Sequence, residues 1–148
     1  MAAIGHLTRR FAGMLSNRPV PVDDAAWVAA WLSAPELALW RSLSAADQRH
    51  SVMVARRFVA AGRVDGDDVA AALLHDIGKL RSGLGTFGRV AATVVGPRTG
   101  RFRTYHDHEL IGAAMLRDAG SSDRTVSLVD GTSTDTAVLA DLRRADDI

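Results

Sequence analysis

Cysteine is absent from this chain of 148 residues. Disulfides and thiolate metal sites are thereby excluded, so a metal could rest only on imidazole and carboxylate groups. Lysine is almost as scarce: of eighteen cationic side chains, Lys79 is the single lysine and the rest are arginine. No stretch approaches the ~18 apolar residues that a membrane span requires. The N-terminus also lacks the apolar stretch of a signal peptide, so the expectation is a soluble, cytoplasmic chain. A net charge of +1 offers no basic excess of the kind a dedicated nucleic-acid binder concentrates on one face.

What the chain does have is apolar content, 47% of its residues, in a length sufficient for one core and too short for two ordinary domains. Its periodicity predicts helices throughout. Three short ones are expected over 6 to 16, 22 to 33 and 35 to 42, with Asn17, Pro19 and Pro21 separating the first two. Trp27, Trp31, Leu37, Leu39 and Trp40 put more apolar surface there than an exposed extension tolerates, so residues 1–43 should pack on the core as a lid or side wall. The core, residues 44–148, opens with Ser44 as an N-cap and Asp47 at the third position. His50, Val54, Phe58 and Ala61 then share one helical stripe, which turns His50 inward.

A second core helix starts at Asp67 or Asp68 and ends in AALLHDIGK. Alanines and leucines with no polar face mark a helix buried all round, so His75 and Asp76 should lie inside the protein. A carboxylate there is costly unless paired or metal-bound. Gly78 can take the left-handed conformation that stops a helix. Further on, 87–95 reads as a short helix, and GPRTGRFR places Arg98, Arg101 and Arg103 in a loop. Thr104 is the expected cap of a helix that Gly120 ends. His108, Ile111, Gly112 and Met115 form its inner face, which favours His108 over His106 as a site residue; His106 and His6 read as surface histidines. The last helices fall at 122–130 and 134–147. On the final one Leu139, Leu142 and Asp146 share a stripe that Asp147 leaves.

In order, His50, the His75–Asp76 doublet, His108 and Asp146 resemble the HD superfamily of metal-dependent phosphohydrolases. QRHSVMVARRF, ALLHDIGK, HELIGAAMLRDAG and LRRADD carry the resemblance, which spans roughly residues 44 to 148. It implies an all-α HD-domain helical bundle behind a short helical extension. It also implies one divalent ion (Mn, Fe, Co, Ni or Zn) on His50, His75, Asp76 and Asp146, and hydrolysis of a nucleotide or other small phosphate ester by a metal-activated water. Asp76 and His108 would serve catalysis. In HDxGK members the lysine is associated with phosphate, which casts Lys79 as a catalytic and substrate contact beside Arg98, Arg101 and Arg103.

The chain departs from the fuller family pattern in three ways. Residues 109 to 148 contain no histidine where dinuclear members carry one; Asp130 or Thr132 lies near that place. Lys79 and Leu80 stand where guanosine tetraphosphate hydrolases carry ED, and no GYP motif is present. The missing histidine keeps one alternative open, a catalytically degenerate HD domain acting as a metal- or nucleotide-binding regulatory module; an HD-fold iron oxygenase also resembles this fold but holds two irons with a fuller ligand set.

Overall fold

The computed structural model describes residues 16–81 and 107–147. Among them are seven α-helices, one 3-10 helix and no strand. The helices are α1 (Val22–Ala29), α2 (Ala34–Arg41), α3 (Ala45–Ala60), α4 (Gly66–Leu74), α5 (His108–Asp118), α6 (Asp123–Val129) and α7 (Thr136–Asp146). The 3-10 helix, Ile77–Arg81, follows α4 almost at once. The expected helices at 6–16 and 87–95, and the loop arginines Arg98, Arg101 and Arg103, lie outside the described residues.

Helix α4 is the axis of the fold, with α2, α3 and α6 packed around it. Val69 to Leu74 are all between 0 and 3% exposed, as a run with no polar face requires. Polar groups tie the surrounding helices to its N-terminal end. Asp68 takes two bonds from Arg124 of α6, at 2.5 and 2.9 Å, and the Thr125 hydroxyl donates to the Asp67 carbonyl. Helix α7 lies against α3, and α5 packs on both α6 and the 3-10 helix.

The segment before Ser44 contributes Val28, Leu32, Trp40 and Leu43 to the same apolar cluster that holds Phe58 and Leu116. The Trp40 indole donates to the Ser51 hydroxyl at 2.8 Å, inside the protein. Arg56 of α3 lies 4.4 Å over the Trp27 ring and pairs with Asp24.

Several element ends differ from expectation. Helix α1 stops at Ala29 because Ser33 caps the next helix: its side chain takes the Glu36 amide while Glu36 reaches back to the Ser33 amide. Ser44 does cap α3 through the Asp47 amide, but Ala61 ends that helix exposed rather than extending the buried stripe. Helix α4 begins at Gly66, capped by Asp65, whose carboxylate accepts from the amides of Asp67 and Asp68. Those two aspartates sit in the first turn, where the helix dipole favours them. Helix α5 starts at His108 with Asp107 in the cap position; the expected cap, Thr104, is outside the described residues. Gly120 ends it with φ of +79°, as anticipated.

Gly78 corrects a more consequential expectation. It does not adopt a left-handed conformation; among the described residues those with positive φ are Gly62, Gly120 and Gly131. Its missing side chain serves close packing instead. A Cβ there would collide with the backbone carbonyl of His108 and lie 2.9 Å from the Gly112 amide nitrogen. The 3-10 helix and α5 thus meet backbone to backbone, and that contact carries His108 in over the end of α4.

Candidate metal centre

Three helices deliver the candidate residues to one place. His50 is on the first half of α3, His75 is the C-cap of α4, Asp76 is the next residue, and Asp146 is the last residue of α7. His50, His75 and Asp76 each offer a ligand atom, and these atoms lie within 4.8 Å of one another. Asp146 joins them through Oδ1, 2.9 Å from His50 Nε2 and 3.2 Å from His75 Nε2. The second oxygen of Asp76, Oδ2, lies 3.5 Å from His75 Nε2 and 3.9 Å from His50 Nε2.

The donor set can be tested on His75. Its Nδ1 is 2.8 Å from the Ala72 carbonyl, so that nitrogen carries the proton when the ring is neutral, and the lone pair belongs to Nε2. Nε2 is buried and has no well-directed hydrogen bond, although two carboxylate oxygens lie within 3.5 Å of it. An acceptor facing acceptors inside a protein is unfavourable. Either a proton or a cation must stand between them, and two imidazoles with two carboxylates suit a divalent ion of the first transition row or zinc. The residues therefore fit such a metal.

The protonation equilibria show the same compression of charge. Burial works against a charged His75, but the charge of Asp76 and then the nearby carboxylate of Asp146 outweigh it, with help from the Ala72 carbonyl. The ring is pushed up to about 9. Burial also opposes ionisation of Asp76, yet His75 and Lys79, with a contact from His108, hold its carboxyl well below the usual range. Asp146 is held low in turn, since its bond to His50 and the nearby His75 ring overcome its partial burial.

Lys79 meets Asp76 at the same oxygen that faces His75 and His50, and His108 meets it at the other. Lys79 Nζ is 2.5 Å from Asp76 Oδ2, and His108 Nε2 is 3.5 Å from Asp76 Oδ1. Both side chains are largely buried, and both line a cavity of about 310 Å³ with His50, His75, Asp76 and Asp146. Glu109, Leu128, Val129, Gly131 and Arg143 also line it, and none of these was singled out from the sequence as a site residue. Arg143 had a usable signal: it precedes Asp146 by three positions on one helix, a spacing that shares a face. Asp130 and Thr132, near the place of the missing histidine, turn to each other. Asp130 Oδ1 accepts from the Thr132 amide and hydroxyl, and its Oδ2 pairs with Arg117.

The fold and this cluster define a helical domain built round a candidate metal centre. The HD domain family matches residues 48–145, well over half of the chain, and the chain belongs to that family. No curated protein and no solved structure matches it. Among the described residues no helix is long and apolar enough to cross a membrane.

Proposed function

We propose that this chain is a metal-dependent phosphohydrolase acting on a nucleotide or other small phosphate ester. With it we propose a division into a helical extension, residues 1–43, and an HD domain, residues 44–148. The observation that carries the activity is the buried, unbonded Nε2 of His75 facing Asp76 and Asp146 beside His50. His50, His75, Asp76 and Asp146 would hold one divalent ion, which supplies Lewis acidity and a water acidic enough to attack near neutral pH.

The chain's own groups do the rest. Lys79 keeps Asp76 ionised and aimed at the histidines, and from its place on the cavity wall it can also meet a phosphate oxygen. His108, against the opposite oxygen of Asp76, is placed to pass a proton to or from a group in the cavity. Leu128, Val129, Leu139 and Leu142 form an apolar wall that limits water and can take the non-phosphate part of the substrate. The loop arginines Arg98, Arg101 and Arg103 would supply further phosphate contacts.

The reading is tested by metal analysis of the purified chain and then a turnover screen on nucleotides and phosphate esters with Mn, Fe, Co, Ni and Zn. A chain that takes up none of these ions, or takes one up and hydrolyses nothing, would rule it out. The regulatory reading has one observation in its favour: Asp130 and Thr132 are bonded elsewhere, so neither replaces the histidine of dinuclear members. It predicts metal or nucleotide binding without turnover, whereas an iron oxygenase would consume dioxygen with ferrous iron.

A further inference from the structure

The cationic groups around the cavity are not equivalent. The Lys79 ammonium is already matched by Asp76 at 2.5 Å, so its charge is largely balanced before any anion arrives. On α7 two adjacent arginines part company. Arg144 turns to Asp141 at 2.7 Å, away from the cavity. Arg143 lines it, and among the described residues its guanidinium has neither an ion-pair nor a hydrogen-bond partner. It does not pair with Asp146 three positions on, nor with Glu109, the other charged side chain newly found on the wall.

The guanidinium rests beside Gly131, in the turn between α6 and α7: a Cβ on that glycine would lie 3.6 Å from one Arg143 nitrogen. Gly131 has φ of +75°, a conformation that L side chains rarely take, so the turn leaves space beside the guanidinium. A free planar fork of N–H donors, on the helix that ends in Asp146, stands at the edge of the cavity floored by the metal-fitting cluster. Such a fork matches two oxygens of a phosphate at once, which a point charge cannot do.

We propose that Arg143 is the anion-holding residue of this site. It grips the non-bridging oxygens of the substrate's phosphoryl group while the apolar wall of Leu128, Val129 and Leu139 receives the remainder. This rests on the phosphohydrolase reading above and adds to it a residue and a recognition mode. The substrate class is a phosphate ester whose reacting phosphoryl group is accessible to a bidentate donor and whose organic part is apolar or planar on one face.

The test uses the full chain loaded with manganese and inorganic phosphate as the probe, with affinity measured by titration calorimetry. Arg143→Gln should weaken phosphate binding at least about tenfold, the loss of a bond to a charged group, and Arg143→Lys should fall between it and the native chain. Arg144→Gln should bind as the native chain does, and metal content and melting temperature should be the same in all four proteins. Native-like phosphate affinity in Arg143→Gln overturns the inference and leaves the phosphohydrolase reading standing. Equal weakening in Arg143→Gln and Arg144→Gln also overturns it, since that would mean general charge attraction and no fork. A metal-loaded native chain that neither binds phosphate nor turns over any phosphate ester overturns the underlying reading, and the inference with it.

Discussion

Asp68 and Asp76 stand at opposite ends of α4, and both are buried, at 3 and 5% exposure. Asp68 lies in the first turn, where backbone N–H groups and the helix dipole favour a negative charge. One arginine then closes it off with two bonds. Asp76 lies past the C-terminal end, where the dipole is against it. It faces Lys79, His108, His75 and His50 at 2.5 to 3.9 Å, and of these only Lys79 is at close hydrogen-bonding distance. The first carboxylate is complete within the protein, and the second is over-supplied with groups that another cation would organise. Burial alone does not single out a candidate functional acid; burial among several ill-directed titratable groups at an unfavourable helix end does.

That contrast can be broken most severely at Asp76. Asp76→Asn should abolish tight metal binding and bring turnover to background, which metal analysis and a phosphatase assay on the same preparation would read; retained metal would mean that Asp76 belongs with Asp68 as a scaffold acid. Gly78→Ala comes next. Its Cβ has backbone on one side and no flexible neighbour to yield, so a loss of about 3 kcal/mol or more is expected in urea unfolding, at the upper end of overpacking costs. An unchanged midpoint would show that the contact between the 3-10 helix and α5 is not what holds His108 over Asp76.

The converse substitution sharpens the comparison. Asp68→Asn should cost about 2 kcal/mol, the scale of a hydrogen bond to a charged group and less than a fully buried pair because Arg124 is 40% exposed. Metal content should stay as in the native chain, and a parallel loss of metal would join the two ends of α4 into one unit.

The remaining effect is a slope, small within any one pH unit. In the metal-free chain the folded-state value of His75, about 9, lies above the ~6.5 of an unfolded histidine. Its contribution is complete below pH ~6.5 and is lost as the pH rises toward 9. Asp76 and Asp146, both depressed, contribute above the ordinary carboxylate range and stay constant across that window. Unfolding free energy should therefore fall by up to about 1.4 kcal/mol per pH unit, the limit for one proton, and saturating metal should flatten the slope by taking the proton's place. Metal-free stability that is level from pH 6.5 to 9 would deny His75 the proton.

How far the sequence spoke depended on whether a residue's task was local. Ser44 with Asp47 could be read because a cap lies within one turn of its helix, and the burial of α4 followed from a run with no polar face. Local signals misled where several residues met the same criterion: Asp65, Asp67 and Asp68 all suit a helix start, and the dihedral angles of the chain decided for Asp65. Gly78 was misread because its neighbour is α5, which arrives from far along the chain, so nothing near it announced a steric role. The grouping of His50, His75 and Asp76 was legible through their order and contexts. Which of two adjacent arginines would face the cavity was not, because that choice depends on where Asp141 lies and on the turn at Gly131.

The bond from Trp40 to Ser51 reaches beyond the extension in which it begins. Ser51 follows His50 directly, and its hydroxyl also donates to the Gln48 carbonyl, so an indole from the segment ahead of the family match is tied to the turn of α3 that carries a metal-fitting histidine. A chain cut back to the matched residues would lose Trp40 with Val28, Leu32 and Leu43, and would expose the flank of α3 next to His50. The limits of the family match and those of the apolar core are thus different lines on this chain, and a fragment for expression should begin no later than the proline that precedes α1.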